Sequence, residues 1–281
     1  MSVQITREPI PQETAIVDEM PVLPPSDLPY DDGEPLESNR HRIAMNVLID
    51  SLHQIYQGRD DYYAGGNMFI YYSARQARNR DFRGPDFFAV LNVDGTRERR
   101  SWMVWEEEGR YPDVIVELMS PSTASVDTTT KKDLYERTFR TPDYFVYNPF
   151  DPESLQGWHL ESDRVYHALS PNDRGWLWCE TLGLWLGTRA GTLTKENATW
   201  LRFFDRDGNL ILLPQEVARV EQERANREQE RANREQERAN REQERANREQ
   251  DEKEQTQTEL QELRDRLIAM GLDPDNLPNN S

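Results

Sequence analysis

Four consecutive copies of ERANREQ run from Glu223 to Gln250, and each carries a single apolar residue: Ala225, Ala232, Ala239 or Ala246. One alanine in seven cannot bury enough surface to offset the entropy of ordering a core. The packed fold of this chain must therefore be built from what precedes the repeats. The repeats themselves favour helix. Glu223 stands four residues before Arg227, and Arg224 four before Glu228, and such pairs each stabilise an isolated helix by about 0.2–0.5 kcal/mol. A coiled coil wants apolar residues at both a and d of the heptad, and here the second position is polar. The first reading is a solvated single helix; the second is a weak, alanine-seamed coil. Beyond the repeats, Leu260, Leu263, Leu267 and Met270 recur at three- and four-residue spacing before Gly271 and Pro274 stop the helix. That short segment is suited to pair with another copy or to fold back on the core.

The remaining boundaries follow composition. Residues 1–36, including PVLPPSDLPYDDGEPL, mix proline and acid without a helical or strand period and are expected to be disordered. Residues 37–214 are the expected folded domain, 215–270 the charged helical tail, and 271–281 a flexible C-terminus. The 34 basic and 52 acidic residues leave a formal net charge of −18, most of it at the two ends. That balance argues against an avid, sequence-independent DNA binder but leaves room for a local basic groove in the nearly neutral middle. No apolar run of about 18 residues is present, so no membrane-spanning helix is expected. The opening MSVQITREPIPQETAIVDEMP shows no basic region followed by an apolar stretch. One cysteine, Cys179, excludes an internal disulfide and a cysteine-rich zinc site. The expected compartment is the cytoplasm.

Ser38 or Asn39 is placed to cap a helix in which Ile43, Val47, Leu48, Leu52, Ile55 and Tyr56 form one apolar stripe, opposite Arg42, Asp50 and Gln54. The period then shortens. MFIYYS, DFFAVLNV, SWMVW, DVIVELMS and DYFVYNP are short segments dense in β-branched and aromatic residues, hence strands. TTTKKDLYERTF suits a short helix through Leu134, Tyr135 and Phe139. From Trp158, the segments GWHLES, RVYHAL, GWLWCETL, LWLGT and LRFFD-RDG-NLILL read as hairpins, the last turning at Asp207–Gly208. The order predicts an α/β (mixed α+β) fold with a core sheet flanked by helices.

Chemistry is sparse in this sequence. The four histidines, at 41, 53, 159 and 167, lack metal-site spacing, and no phosphate-binding glycine loop occurs. Ser120 and Ser122 lie in MSPST without a nucleophile elbow around them. Cys179, between Trp176, Trp178 and Trp185, reads as core. Carboxylates remain. Glu117 shares a strand face with Ile115 and Met119 in a segment apolar enough to be central. A bare charge there is costly, so it must be neutralised, hydrogen-bonded or bound to a cation. Asp86, after Pro85, stands at the mouth of another strand. Together they make a hard, oxygen-rich pair suited to Mg²⁺ or Mn²⁺. Lys131 and Lys132, in the following helix, are each placed to orient an attacking water and neutralise phosphate charge.

RDFRGPDFFAVL, SWMVWEEEGRYPDVIVELMSPSTASVDTTTKKDLYERTFRTPDYFVYNP and LRDRLIAMGLDPD resemble the Uma family of restriction-endonuclease-like proteins, grouped with the PD-(D/E)xK nucleases. The resemblance implies that Asp86 is the PD aspartate and Glu117 the (D/E). The lysine of the motif falls on Met119, which cannot serve. The family's Asp, Lys and Tyr after SPST correspond to Asp127, Lys131 and Tyr135, which selects Lys131 as a lysine moved onto the helix. Glu37 and His41 fall where related nucleases bring an extra polar group; His41 reads rather as a contact at the helix start. Glu106, Glu107 and Glu108 read as a solvated loop.

The expectation is a restriction-endonuclease-like core with added β-hairpins and a solvated C-terminal helix. Such a protein is expected to hydrolyse DNA phosphodiesters through Asp86, Glu117 and Lys131, with Mg²⁺ (or Mn²⁺) on Asp86 and Glu117; a homodimer, common among restriction-like nucleases, would let it cut both strands. The rival is a non-catalytic scaffold on the same fold, with the long helix as its handle. A third reading is a sugar- or nucleotide-binding β domain around the tryptophans of residues 158–213.

Overall fold

A computed structural model describes residues 38–78 and 83–271, together with Leu28 and Tyr30. Glu37, nearly all of residues 1–36 with their expected disorder, and residues 272–281 of the expected flexible C-terminus lie outside the described residues. The chain divides into two compact units, Met1–Leu213 and Pro214–Ser281.

The first unit opens with helix α1, Asn39–Ile55. Ser38 caps it in extended backbone, its hydroxyl accepting from the amide of His41 at 3.3 Å. Ile43, Val47, Leu48 and Leu52 are buried on one face; Ile55, at the far end of the stripe, is exposed instead. The strands are β1 (Tyr62–Gly65), β2 (Ile70–Tyr71), β3 (Phe87–Leu91), β4 (Trp102–Met103), β5 (Val114–Leu118), β6 (Asp143–Asn148), β7 (Asp151–Leu160), β8 (Tyr166–Ala168), β9 (Leu177–Cys179), β10 (Leu184–Leu193) and β11 (Glu196–Phe204).

Six strands form the main sheet in the order β1-β3-β5-β6-β7-β8. Central β5 runs antiparallel to β3 and parallel to β6, and all five of its residues are buried. Alternation divides its side chains between two cores. Val114, Val116 and Leu118 meet α1 and residues of the three-stranded β11-β10-β9 sheet. Ile115 and Met119 share the opposite core with Tyr135, Phe139 and Tyr144. The two faces of one apolar strand are thus covered by different elements, as the near-continuous apolar run of VIVELMS requires.

Several strands differ from the sequence expectation. MFIYYS and SWMVW contribute only two residues each, paired parallel in a separate ladder. The Trp102 indole N–H donates to the Arg110 carbonyl at 2.8 Å and closes the rest of that segment into a loop. In that loop Glu107 is buried, gripped by Arg99 through both carboxylate oxygens at 2.8 and 2.9 Å, so the acidic run is not wholly solvated. β1 is an edge strand hidden in sequence by its acidic and glycine flanks. Asp207–Gly208 does turn the chain, with the Gly208 amide donating to the Asp205 carbonyl at 3.0 Å. Only the single bridge Phe204–Leu210 follows, however, so NLILL is not a strand. The long hairpin is instead β10–β11, closed by Thr194 and Lys195 with φ of 47° and 67°. Positive φ at both central positions is the primed turn that hairpin twist favours, here built without glycine or asparagine.

The second unit is one helix, Pro214–Ala269, with no buried residue; Gly271, with φ of 76°, follows its end.

Candidate active site

Phe87 of β3 pairs with Val116 of β5, so Asp86 and Glu117 occupy the next opposed positions across the two strands. The antiparallel ladder therefore brings together two carboxylates that are 31 residues apart in sequence. They interlock through the backbone. The Asp86 amide donates to Glu117 Oε2 at 3.5 Å, and the Leu118 amide donates to Asp86 Oδ2 at 2.8 Å. Gly66 fits against this corner: a methyl there would overlap the Asp86 carbonyl oxygen and the Met45 side chain. The Asn67 amide donates to the Pro85 carbonyl at 2.9 Å and holds the loop in place.

Residues 124–139, expected as a short helix, are wound unusually. A turn of α-helix leads into π-helix at Asp127–Lys131, α-helix at Lys132–Leu134, and π-helix again at Tyr135–Phe139. The cause is legible in burial. Asp127, Tyr135 and Phe139 are buried and Lys131 half-buried, at a strict spacing of four. At 3.6 residues per turn each four-residue step advances about 40° around the axis, so four such residues would spiral off the sheet. The wider π turns cancel that drift and keep them on one line above β5.

The line converges on Glu117. Lys131 Nζ lies 3.0 Å from Glu117 Oε2 and 2.8 Å from Asp127 Oδ1. The Tyr135 hydroxyl donates to Glu117 Oε1 at 2.8 Å. The Asp127 carbonyl accepts from the Tyr144 hydroxyl at 2.8 Å, which ties the helix to β6. Glu117 and Asp127 are sealed from solvent, whereas Asp86 and Lys131 remain partly exposed. Solvent therefore reaches the site chiefly at the ammonium, while the Asp86 carboxyl, although its residue is half-buried, is itself largely desolvated.

Electrostatics follow from that burial. Desolvation first, then the charge of Glu117, push the Asp86 carboxyl well above the ordinary aspartate range; the Leu118 amide and Lys131 pull the other way. Burial alone would depress the Lys131 ammonium. Glu117, Asp127 and Asp86 outweigh it and hold the group above the usual lysine value. Lys131 is thus a fixed cation at neutral pH, not a proton acceptor. Burial, and next Glu117, push the Tyr135 phenol far upward, so it stays a donor.

Of the residues expected from sequence, Asp86, Glu117 and Lys131 are brought together. Lys132 is not: its ammonium sits over the Trp158 ring, 4.7 Å from the centroid. Asp127 and Tyr135, named beside Lys131 in the family pattern but not placed in the expected site, join it. The equal four-residue spacing was their signal. Buried His41 contacts Ser38 at 2.8 Å and reaches the Met119 carbonyl at 3.4 Å, near but outside the cluster. Ser120, Ser122 and Thr123 hydrogen-bond among themselves and shape the turn after β5. Cys179 is buried, and burial followed by the charge of Asp143 pushes its thiol well up, as suits a core residue.

Among the described residues no group of three His, Cys, Asp or Glu is arranged to hold a metal ion. The donor set still fits a hard divalent cation. Magnesium is commonly held by one or two carboxylates, with waters and substrate phosphates completing the shell. Asp86 Oδ2 and Glu117 Oε2 stand on opposed strand ends, with Lys131 beside Glu117, so two carboxylate oxygens converge where such a cation would be held.

Residues 17–190 match the profile of the family Uma2, described as "Putative restriction endonuclease". Among solved structures, a putative nuclease of the family DUF820 from Anabaena variabilis is similar at 12% identity, with 54% of this chain and 80% of that chain covered and a TM-score of 0.38. No curated protein matches the chain.

Proposed function

The chain belongs to the Uma2 family, and on that premise we propose that it is a nuclease hydrolysing DNA phosphodiester bonds, with a divalent cation carried by Asp86 and Glu117. The observation that supports this most is the convergence of both carboxylates and Lys131 Nζ at the solvent-facing end of a buried strand pair. When bound, Mg²⁺ or Mn²⁺ supplies Lewis acidity that lowers the pKa of a coordinated water and offsets charge on the phosphate. The protein's own groups do the rest. Lys131, permanently charged, donates to the attacking water or to a non-bridging phosphate oxygen and stabilises the developing negative charge there. Asp127 fixes the direction of that ammonium. Tyr135 occupies Glu117 Oε1 and so turns Oε2 toward Asp86 and the lysine. Cytoplasmic location belongs to the same proposal.

A second reading, a non-catalytic scaffold, draws on two observations: Met119 stands where the motif's lysine falls, and Glu117 is fully buried with both oxygens engaged. Plasmid cleavage at low salt with Mg²⁺, Mn²⁺ or chelator separates the readings. Cation-dependent cutting that disappears in Asp86→Asn is the expected result. A protein that binds no divalent cation calorimetrically at millimolar Mg²⁺ and Mn²⁺ would leave the scaffold reading standing.

A further inference from the structure

The 56-residue helix Pro214–Ala269 buries none of its residues, yet its sequence keeps a register that a simple spacer does not need. Every seventh residue from Ala218 is apolar through the four repeat alanines to Leu260 and Leu267, with one break at Lys253. Three residues before these stand glutamines, from Gln215 at every seventh position to Gln257. Both rows extend past the four identical copies at each end, so duplication of one unit does not account for them. On a straight helix a seven-residue row drifts about 20° per heptad, and only left-handed supercoiling around a partner holds it on one line. The last two heptads supply apolar surface: Leu260, Leu263, Ile268 and Met270 are each more than half exposed.

We propose that this helix pairs with the same helix of a second copy as a parallel, in-register two-stranded coiled coil, with glutamine at a as far as Gln257 and Arg264 after it, and alanine or leucine at d apart from Lys253. Charge selects the partner and the direction. With d at the alanines, the g positions of the repeats are glutamates (Glu221, Glu228 and onward) and the e positions are asparagines (Asn226, Asn233 and onward). Parallel pairing sets each g glutamate against an e asparagine of the partner. Within each helix, Gln222 Nε2 donates to Asn226 Oδ1 at 2.9 Å, and the next repeat repeats the contact from Gln229 to Asn233 at 2.9 Å. That arrangement engages the asparagine oxygen, so the pairing assigns the asparagine N–H groups, which can only donate, to the partner's carboxylate. Antiparallel pairing would set glutamate against glutamate heptad after heptad and part the two leucine-rich ends. Identical repeats alone would tolerate a slip of one heptad. Leu260 and Leu267 do not, because a slip uncovers one of them, so the apolar end fixes the register.

Cysteine crosslinking of the full chain tests this without recourse to any cleavage, and so independently of the nuclease reading. The native Cys179 is buried, which leaves an introduced cysteine as the reactive thiol. Ala225→Cys and Ala246→Cys, made separately, are expected each to form a self-disulfide under mild oxidation, because opposed d positions lie within disulfide reach. Arg227→Cys, at the outward f position, is expected to stay monomeric on a denaturing gel. Leu260→Asp with Leu267→Asp should weaken the wild-type dimer by at least about tenfold in sedimentation equilibrium. Three results would each overturn the proposal: wild-type protein that sediments as a monomer throughout its soluble range, crosslinks only in mixtures of the 225 and 246 variants, or equal crosslinking at 227.

Discussion

Tyr135 donates its phenolic hydrogen to Glu117 Oε1 at 2.8 Å inside a sealed core, which leaves only Oε2 to face Lys131 at 3.0 Å. The phenol thereby sets which oxygen of Glu117 is offered to the site. Tyr135→Phe keeps the ring and strips the donor from a buried carboxylate, at an expected stability cost of about 1–3 kcal/mol. Thermal melting measures that cost. Calorimetric titration with Mn²⁺ should show weaker binding at an unchanged stoichiometry.

The Asp86 carboxyl carries a pH dependence of known sign. Its pKa is raised in the folded protein from an ordinary 3.8, so the native state holds the proton more tightly than the unfolded chain. That contribution is complete below pH 3.8 and is lost as pH rises through the folded value. Asp86→Asn should therefore melt higher than wild type at neutral pH without added cation, lose metal-dependent cleavage, and show no further stabilisation by Mg²⁺. A neutral-pH melting point at or below that of wild type would contradict the cost of burying this carboxylate beside Glu117.

Glu117→Gln should behave differently although it abolishes cleavage equally. It removes the counter-charge of a mostly buried lysine, and Asp127 remains as its partner. A net cost of about 1–2 kcal/mol is expected, below the usual figure for breaking a buried pair because that second partner persists and the ammonium is partly wet. Chemical denaturation compares the two variants directly.

Adjacent lysines should separate cleanly. Lys131→Ala is expected to cut the cleavage rate by about 10²–10⁴-fold, as loss of a positioned charge and donor does, with cation binding preserved. Lys132→Ala loses only a cation–π contact with Trp158, worth about 0.5–1 kcal/mol, and should keep near-normal rates. Single-turnover rates on a plasmid substrate read both. Lys132 essential with Lys131 dispensable would overturn the assignment.

Gly66→Ala tests the corner that seats Asp86. The added methyl meets backbone that cannot swing aside, so about 1–3 kcal/mol of destabilisation is expected. Cleavage should fall together with affinity for Mn²⁺, since the aspartate itself is displaced.

The central part of this fold was legible because it is written in period and composition. The stripe of α1, the run VIVELMS and the run DYFVYN read directly as helix and strands, and the Asp86–Glu117 pairing could be read from two strand ends with Lys131 and Lys132 in the helix that follows; the choice of Lys131 came from the resemblance to the Uma family. What escaped notice did so for local reasons. The β10–β11 turn uses Thr194 and Lys195 in a conformation that usually announces itself through glycine or asparagine. β2 and β4 carry strand-like residues whose neighbours close into loops. Glu107 looked like surface charge because its partner, Arg99, is recognisable only once the loop is folded. Asp127 and Tyr135 escaped the expected site because a four-residue period matches neither helix nor strand, and only the π turns make it a single face.

Those π turns also bear on how the site withstands insertions and deletions. A chain that loses one residue between Asp127 and Lys131 can take up the loss by tightening that π turn to α winding. Lys131 then follows Asp127 by three residues and still faces Glu117, while the residues beyond it keep their own winding. The π turns are thus slack in the helix: a lost residue is absorbed in them before Lys131 or Tyr135 is turned away from the carboxylate.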